Sequence, residues 1–368
     1  MPNRAAENLA DRSRGRLTSE PRPEGRGDAH TPRNGMIVIA PPPVYNHAVR
    51  KESAVAYLRQ QLVWAGQYAA LRVVEMLLQC FPIDANLATA RWGGRLLYLV
   101  DRRHRRVAIE NLRASFPGAG PRAIRRMARR SFEHMIMVGA EFLCLTRLMQ
   151  FNSYFRHIEM GPGLDRFTDL VCSNRPCLIV GGHFGNWEMG AYGMAAMGFP
   201  TTSVGRPLDN PYLDRHVKKI REFSGQRILS KYGMTPEAFE HLEAGTRLAF
   251  PADQDAGRRG FFVEYFGRKA SVYKSIAYLA LEAGAPIVVG GAYRTGPRFH
   301  YRGVVTDIID PAEYEKGVDG AMAITQRFTS ALERLVRMAP DQYLWVHRRW
   351  KTRPPEERQA AAAPTGRA

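Results

Sequence analysis

The change of pattern near Pro176 is the strongest constraint on how this chain can fold. Beyond it, short β-rich runs alternate with stretches of helical periodicity. Strands are expected at Cys177 to Gly181, Thr201 to Val204, Arg227 to Leu229, Leu248 to Pro251, Pro286 to Gly290 and Phe299 to Val305. Helices are expected between them at 188–198, 211–224, 235–244 and 271–284, with a last one over Gly320 to Met338. Strands alternating with helices indicate an α/β layered domain, its central sheet mostly parallel or mixed and flanked by helices.

Before that point the chain reads as helical. Val55, Leu58, Leu62, Ala65, Leu71, Val74 and Leu78 recur every three to four residues until Pro82 stops the run. Further helices are expected over about 87–100, 106–115 and 121–150, the last with an arginine-rich face opposite its apolar one. Residues 1–50, rich in Arg, Pro, Gly and Glu, cannot bury enough surface to order themselves and read as a disordered tail. Residues 355–368 read as a second, shorter tail. Between them lies one domain, 51–354, divided into a helical membrane-proximal part (51–150) and an α/β core (151–354).

Charge narrows the partners. The chain carries 53 basic against 35 acidic residues, a formal net charge of +18. Such a field attracts nucleic acid, phospholipid headgroups or an acidic protein, and composition alone does not choose among them. The four cysteines form no CxxC pair, so a zinc site or a disulfide framework is not expected, and no metal is. No run of 18 uncharged apolar residues exists. A chain that lies on a membrane or is soluble is therefore expected, and not one that spans.

The chemistry concentrates in Leu178-Ile-Val-Gly-Gly-His-Phe-Gly-Asn-Trp-Glu188. His183 suits the general base that a hydroxyl nucleophile needs. A carboxylate accepting its other N–H would fix the tautomer, and Glu188 is the candidate. Five residues on a regular helix turn through about 500°, so the pair works only if His183 lies in a loop and Glu188 in the first helical turn. Gly181, Gly182 and Gly185 supply the turn and Asn186 the N-cap. The helix N-terminus would leave N–H groups for an oxyanion or a phosphate. The same residues also fit a plainer account, a strand-capping histidine and a surface carboxylate. A GxSxG elbow, a GxxxxGK[ST] loop and an HExxH pair are absent from the sequence.

His183-Phe-Gly-Asn-Trp-Glu188 resembles the H-x4-D/E motif of the lipid A biosynthesis acyltransferases, within the wider lysophospholipid/glycerophosphate acyltransferase superfamily. Other pieces follow in the family's order: RVAIENLRASF from Arg106, Arg206-Pro-Leu-Asp-Asn-Pro-Tyr212, Asp253-Gln-Asp-Ala-Gly-Arg-Arg-Gly260, Gly284-Ala-Pro-Ile-Val288, and Trp345-Val-His-Arg-Arg-Trp-Lys-Thr-Arg-Pro354. The resemblance covers about 55–354. It implies transfer of a fatty acyl group from a thioester to a hydroxyl of a membrane glycolipid, foremost a lipid A precursor. His183 would be the base and Glu188 its orienting partner.

The resemblance also places Arg206 and Asn186 against substrate, Asp253 as a residue shaping the site, and Arg258 and Arg259 as anion contacts. The donor would be an acyl carrier protein or coenzyme A thioester, with no cofactor. The acceptor would be an anionic membrane lipid, the location the cytoplasmic face of the inner membrane, and nucleic acid would not be a partner. Arg72 and Glu75 interrupt the apolar anchor that many relatives carry. A monotopic helix is therefore expected, with Trp64, Tyr68, Leu71 and Leu78 as lipid contacts, or alternatively a core helix. Two rivals stand beside this reading. One is an acyltransferase on a phosphatidylinositol mannoside, ornithine or glycerol lipid. The other is a non-enzymatic basic protein binding membrane or nucleic acid.

Overall fold

The computed structural model describes residues 54–173, 175–230 and 235–357. The tail expected over 1–50, and all but the first three residues of the one over 355–368, lie outside them. Four helices come first: α1 (Ala54–Cys80), α2 (Ile83–Val100), α3 (Arg102–Ser115) and α4 (Pro121–Leu148). Their ends follow the chain's own signals. Pro82 separates α1 from α2, the Asp101 side chain accepts the His104 N–H at the start of α3, and Pro121 opens α4.

The α/β part follows: α5 (Tyr154–His157), β1 (Ile158–Met160), α6 (Leu164–Cys172), β2 (Leu178–Gly181), α7 (Trp187–Ala196), β3 (Thr201–Gly205), α8 (Pro211–Glu222), β4 (Arg227–Ser230), α9 (Thr235–Glu243) and β5 (Arg247–Pro251). Then come β6 (Phe261–Tyr265), β7 (Arg268–Val272), α10 (Ser275–Ala283), β8 (Ile287–Arg294), β9 (Tyr301–Ile309) and α11 (Val318–Met338).

Seven strands form one sheet in the order β1-β9-β8-β2-β5-β3-β4. All neighbours are parallel except β8 and β9. The chain thus folds as an α/β protein with a mostly parallel, mixed sheet. Its central strands read Leu-Ile-Val, Leu-Ala-Phe and Ile-Val-Val, the near-continuous apolar runs of strands covered on both faces. Leu178, Val180, Leu248, Ile287 and Val289 are buried in one core with Phe328 and Leu335 of α11.

The β6–β7 hairpin departs from expectation, because a helix was read over 271–284 and β7 occupies its first residues. Its two-residue turn is Phe266-Gly267, both at positive φ (52° and 68°). Tight hairpins want that geometry, usually from Asn-Gly, so the sequence carries no obvious hairpin signal. A bulky residue in this region is strained. Burial of the Phe266 ring against Phe116, Tyr265 and Trp345, and a hydrogen bond from its N–H to Glu333, hold it there.

Of the two readings of α1, lipid contact or core helix, the second describes the four residues singled out. Trp64, Tyr68, Leu71 and Leu78 are half-buried and face the protein. Tyr68 stacks on Tyr212 and meets His216 edge-on. The exposed large apolar side chains of α1 are instead Tyr57, Leu58, Leu62, Val63, Val73, Val74, Met76 and Leu77.

Candidate active site

Two neighbouring parallel strands build the site. In the β2–β5 register Gly181 lies opposite Pro251. Two residues further on, His183 and Asp253 leave the same carboxyl edge of the sheet. Around this point the crossovers diverge, β2 leading on to β3 and β5 to β8 on opposite sides, and open α/β sheets place ligand sites at such switch points.

The His183 Nδ1 lies 2.9 Å from one Asp253 carboxylate oxygen, and its backbone N–H donates to the other at 2.7 Å. A carboxylate only accepts, so Nδ1 carries the proton and Nε2 keeps its lone pair. A side chain at Gly182 would begin 3.0 Å from the same carboxylate, so glycine permits the approach. Burial lowers the His183 pKa, but the charge and hydrogen bond of Asp253 outweigh it, with the Glu188 charge adding, and the net direction is upward. Burial raises Asp253, and the His183 charge with both hydrogen bonds outweighs that to hold it well below the usual carboxylate range.

His183 does lie in the loop and Glu188 in the first turn of α7, as the spacing required. Glu188 is nonetheless not bonded to the imidazole. Its carboxylate accepts two bonds from Arg221 of α8, at 2.9 and 2.6 Å, and one from the Trp187 indole. The hydrogen-bonded partner of His183 is Asp253, because strand register brings it to Nδ1 while the helix turns Glu188 towards α8.

Asn186 is the N-cap, accepting from the Met189 N–H at 3.0 Å. It is fully buried and its amide donates to Glu141, so it supports the loop from within and is not open to substrate. Arg206 stands at the surface, bonded to Asp209, and among the described residues makes no contact with the dyad. Arg258 and Arg259 are exposed on a short turn after β5.

Beneath the loop lies a polar cluster. Glu141, buried in α4, accepts from Arg294 of β8, Tyr301 of β9 and Asn186. Burial lifts the Glu141 carboxyl above its ordinary value despite the Arg294 charge and these donors. The His134 imidazole donates to the Gly185 carbonyl at 3.0 Å. Gly185 itself has φ 53°, and a Cβ there would sit 1.8 Å from the Ala292 carbonyl oxygen, so only glycine fits. Opposite, Leu344 N–H donates to the His183 carbonyl at 3.0 Å, and the rings of His347 and Trp187 meet the imidazole edge-on at 5.0 and 5.1 Å. Burial and the His183 charge hold His347 below its usual value, so it stays neutral beside the pair.

His134 carries a stability prediction. Burial, with the Arg294 charge, pushes it down to about 3 against the Gly185 hydrogen bond. Below about pH 6.5 the unfolded chain takes up this proton and the folded one does not, so the residue costs stability as pH falls towards 3. Glu141, being raised, acts with the opposite sign. Between pH 6.5 and 4.5 the wild type should therefore lose about 2 kcal/mol more than His134→Gln in urea titrations. Equal losses would reject the assignment.

The chain matches the bacterial lipid A biosynthesis acyltransferase family over residues 49–352. It belongs to that family. Among relatives, the lipid A biosynthesis lauroyltransferase of Escherichia coli K12 is 27% identical over 306 residues, 82% of this chain and 95% of that protein. The palmitoleoyltransferase of the same organism is 27% identical over 301 residues, 80% of this chain and 93% of that one. A phosphatidylinositol mannoside acyltransferase of Mycolicibacterium smegmatis is 27% identical over 128 residues, 34% of this chain and 42% of that protein. As a family member this chain is an acyltransferase.

The blocks that carried the resemblance take different places in this family member. The loop at 183–188, the Asp253 block and the C-terminal segment meet at the dyad. The block 206–212 instead docks α1: the Asn210 amide donates to the Trp64 carbonyl and to Gln67, and the Tyr212 hydroxyl to Gln61. Sequence reasoning missed Glu141, Arg221, Arg294, Tyr301 and His347. Only Glu141 left a signal, a lone charge in the apolar run from Met135 to Leu145.

Proposed function

We propose that this acyltransferase moves a fatty acyl group from an acyl carrier protein or coenzyme A thioester to a hydroxyl of a lipid A precursor. The observation that carries the mechanism is the Asp253–His183 pair, its Nε2 lone pair left free by the tautomer. His183 removes the proton from the acceptor hydroxyl. The alkoxide attacks the thioester carbonyl, the tetrahedral intermediate collapses, the C–S bond breaks, and the thiolate leaves with the proton that His183 returns. Asp253 keeps the imidazole in the basic tautomer and stabilises the imidazolium. No cofactor enters this scheme.

The reaction takes place at the cytoplasmic face of the inner membrane. None of the described helices is long and apolar enough to cross a bilayer. The exposed apolar side chains of α1, together with Trp92, Leu96, Leu99 and Val100 of α2, suit a helix pair lying in the interface. The net charge of +18 favours anionic lipid and an acidic carrier protein. The mycobacterial relative supports a second reading, with a different glycolipid as acceptor.

Mass spectrometry of lipids from a deletion strain separates the two. Loss of one acyl mass from lipid A, restored by the wild-type gene and not by His183→Ala, is expected. Unaltered lipid A with another lipid underacylated would support the second reading. In purified protein His183→Ala should lower transfer by about 10²–10⁴-fold with the fold retained. Near-normal transfer by that variant would sink the mechanism.

A further inference from the structure

Two chain segments leave the dyad and meet again. One runs from Asp253 through Asp255 to Arg258. The other runs from His347, whose ring touches His183, to Arg353. Together they wall a cavity of about 470 Å³ lined by Arg258, Arg348, Lys351, Thr352 and Arg353. Phosphorylated sugars and headgroups fit in a volume of this order.

Both walls are fixed to one residue of β7. The Ser271 hydroxyl donates to the Gly257 carbonyl, and the Ser271 carbonyl accepts from Ala256 N–H at 3.3 Å and from the buried Arg349 guanidinium at 2.6 Å. Trp350 stacks on Tyr265 and lies 3.5 Å beneath the Arg268 guanidinium. Asn111 of α3 holds the carbonyls of Trp345 and His347, each at 2.9 Å. The frame is therefore set before any ligand arrives, which lowers the cost of binding.

The charges on this frame are unequal. Among the described residues Arg258 and Arg348 have no ion pair and no side-chain hydrogen bond. Lys351 only approaches Asp255, at 3.8 Å, while Asp255 accepts from Thr352 at 2.8 Å. Arg353 is matched by Glu357. Two carboxylates thus face four cations. Burial and the nearby Arg353 charge hold even Arg268 down to about 10. Forked guanidinium groups that lack carboxylate partners match phosphate oxygens.

We infer that this cleft binds a phosphate group of one substrate, through Arg258, Arg348 and Lys351, while the reacting end of that substrate reaches His183. The identity of the substrate rests on the acyl-transfer reading. The phosphate belongs either to the glycolipid acceptor or to the phosphodiester of the donor's carrier arm.

The first test needs no acyl transfer. Inorganic pyrophosphate is titrated calorimetrically at low salt into wild type, into Arg258→Gln/Arg348→Gln/Lys351→Gln, and into a control, Arg166→Gln/Arg175→Gln/Arg227→Gln. The control removes the same charge from exposed positions elsewhere. At least tenfold weaker binding in the cleft variant, with the control unchanged, is expected. Equal weakening in both triples, or in neither, overturns the site.

Steady-state transfer then assigns the source. A tenfold or larger rise in KM for the glycolipid, absent when that acceptor is dephosphorylated, assigns the acceptor's phosphate. The same rise confined to the thioester assigns the donor's. An unchanged KM for both overturns the proposal even if pyrophosphate binds. Wild type that binds pyrophosphate yet acylates no lipid A precursor would remove the functional reading and leave the cleft standing.

Discussion

Asp253→Asn should abolish most acyl transfer, lowering kcat by about four orders of magnitude with little change in fold. The asparagine amide would face Nδ1 with a donor or a weaker acceptor. The imidazole would then favour the tautomer protonated on Nε2, which is no base. The pH profile provides a second readout. In the proposed mechanism transfer needs neutral His183, so activity should rise with pH through its pKa. Asp253 raises that pKa above the ordinary value, so the rising limb lies above about 6.5. Without the aspartate, burial dominates and the limb moves to lower pH.

The linkage to stability has the opposite sense. The contribution of raised His183 is fully present below the unfolded pKa and fades as pH rises through the folded one. Glu188→Gln should differ in kind, because it strands the half-buried Arg221 and costs about 1–3 kcal/mol. Removing Arg221 as well should recover part of that cost. If Asp253→Asn kept near-normal kcat while Glu188→Gln alone lost the base, the orienting role would belong to Glu188.

The second large effect is expected from Glu141→Ala. Arg294 would remain buried without its carboxylate, and Tyr301 and Asn186 would each lose an acceptor. Breaking a buried pair this way costs about 3–5 kcal/mol. The urea midpoint should fall accordingly. Glu141→Leu/Arg294→Met/Tyr301→Phe, which replaces the cluster by apolar groups of similar size, should regain much of the stability. It should not regain transfer, since Asn186 caps α7 and also donates to Glu141, and the His183 loop hangs from that cap. A triple variant with both stability and transfer restored would show that the cluster serves packing alone.

Much of this was legible in the chain. Helical periodicity marked every long helix, and short β-rich runs marked the six longer strands of the sheet, because each segment's residues report its own local geometry. The glycines, Asn186 and the five-residue spacing correctly put His183 in a loop and Glu188 in a helical turn. The β6–β7 hairpin escaped because its turn uses Phe266 where Asn or Gly is usual. Periodicity left open whether Trp64, Tyr68, Leu71 and Leu78 of α1 meet lipid or the protein, since it defines an apolar stripe but not which neighbour covers it. In the fold they are half-buried.

Local residue patterns were enough for the α/β class, the helical first part, the lack of a long apolar run and a histidine at a strand-to-helix loop. Which carboxylate bonds to that histidine follows from the folded arrangement alone. Glu188 is five residues away and Asp253 seventy. The parallel register of β2 and β5 sets His183 and Asp253 side by side, while the turn of α7 gives Glu188 to Arg221. Local spacing reports only contacts the backbone makes with itself nearby. A pairing between strands depends on the register of the whole sheet, which no short motif contains.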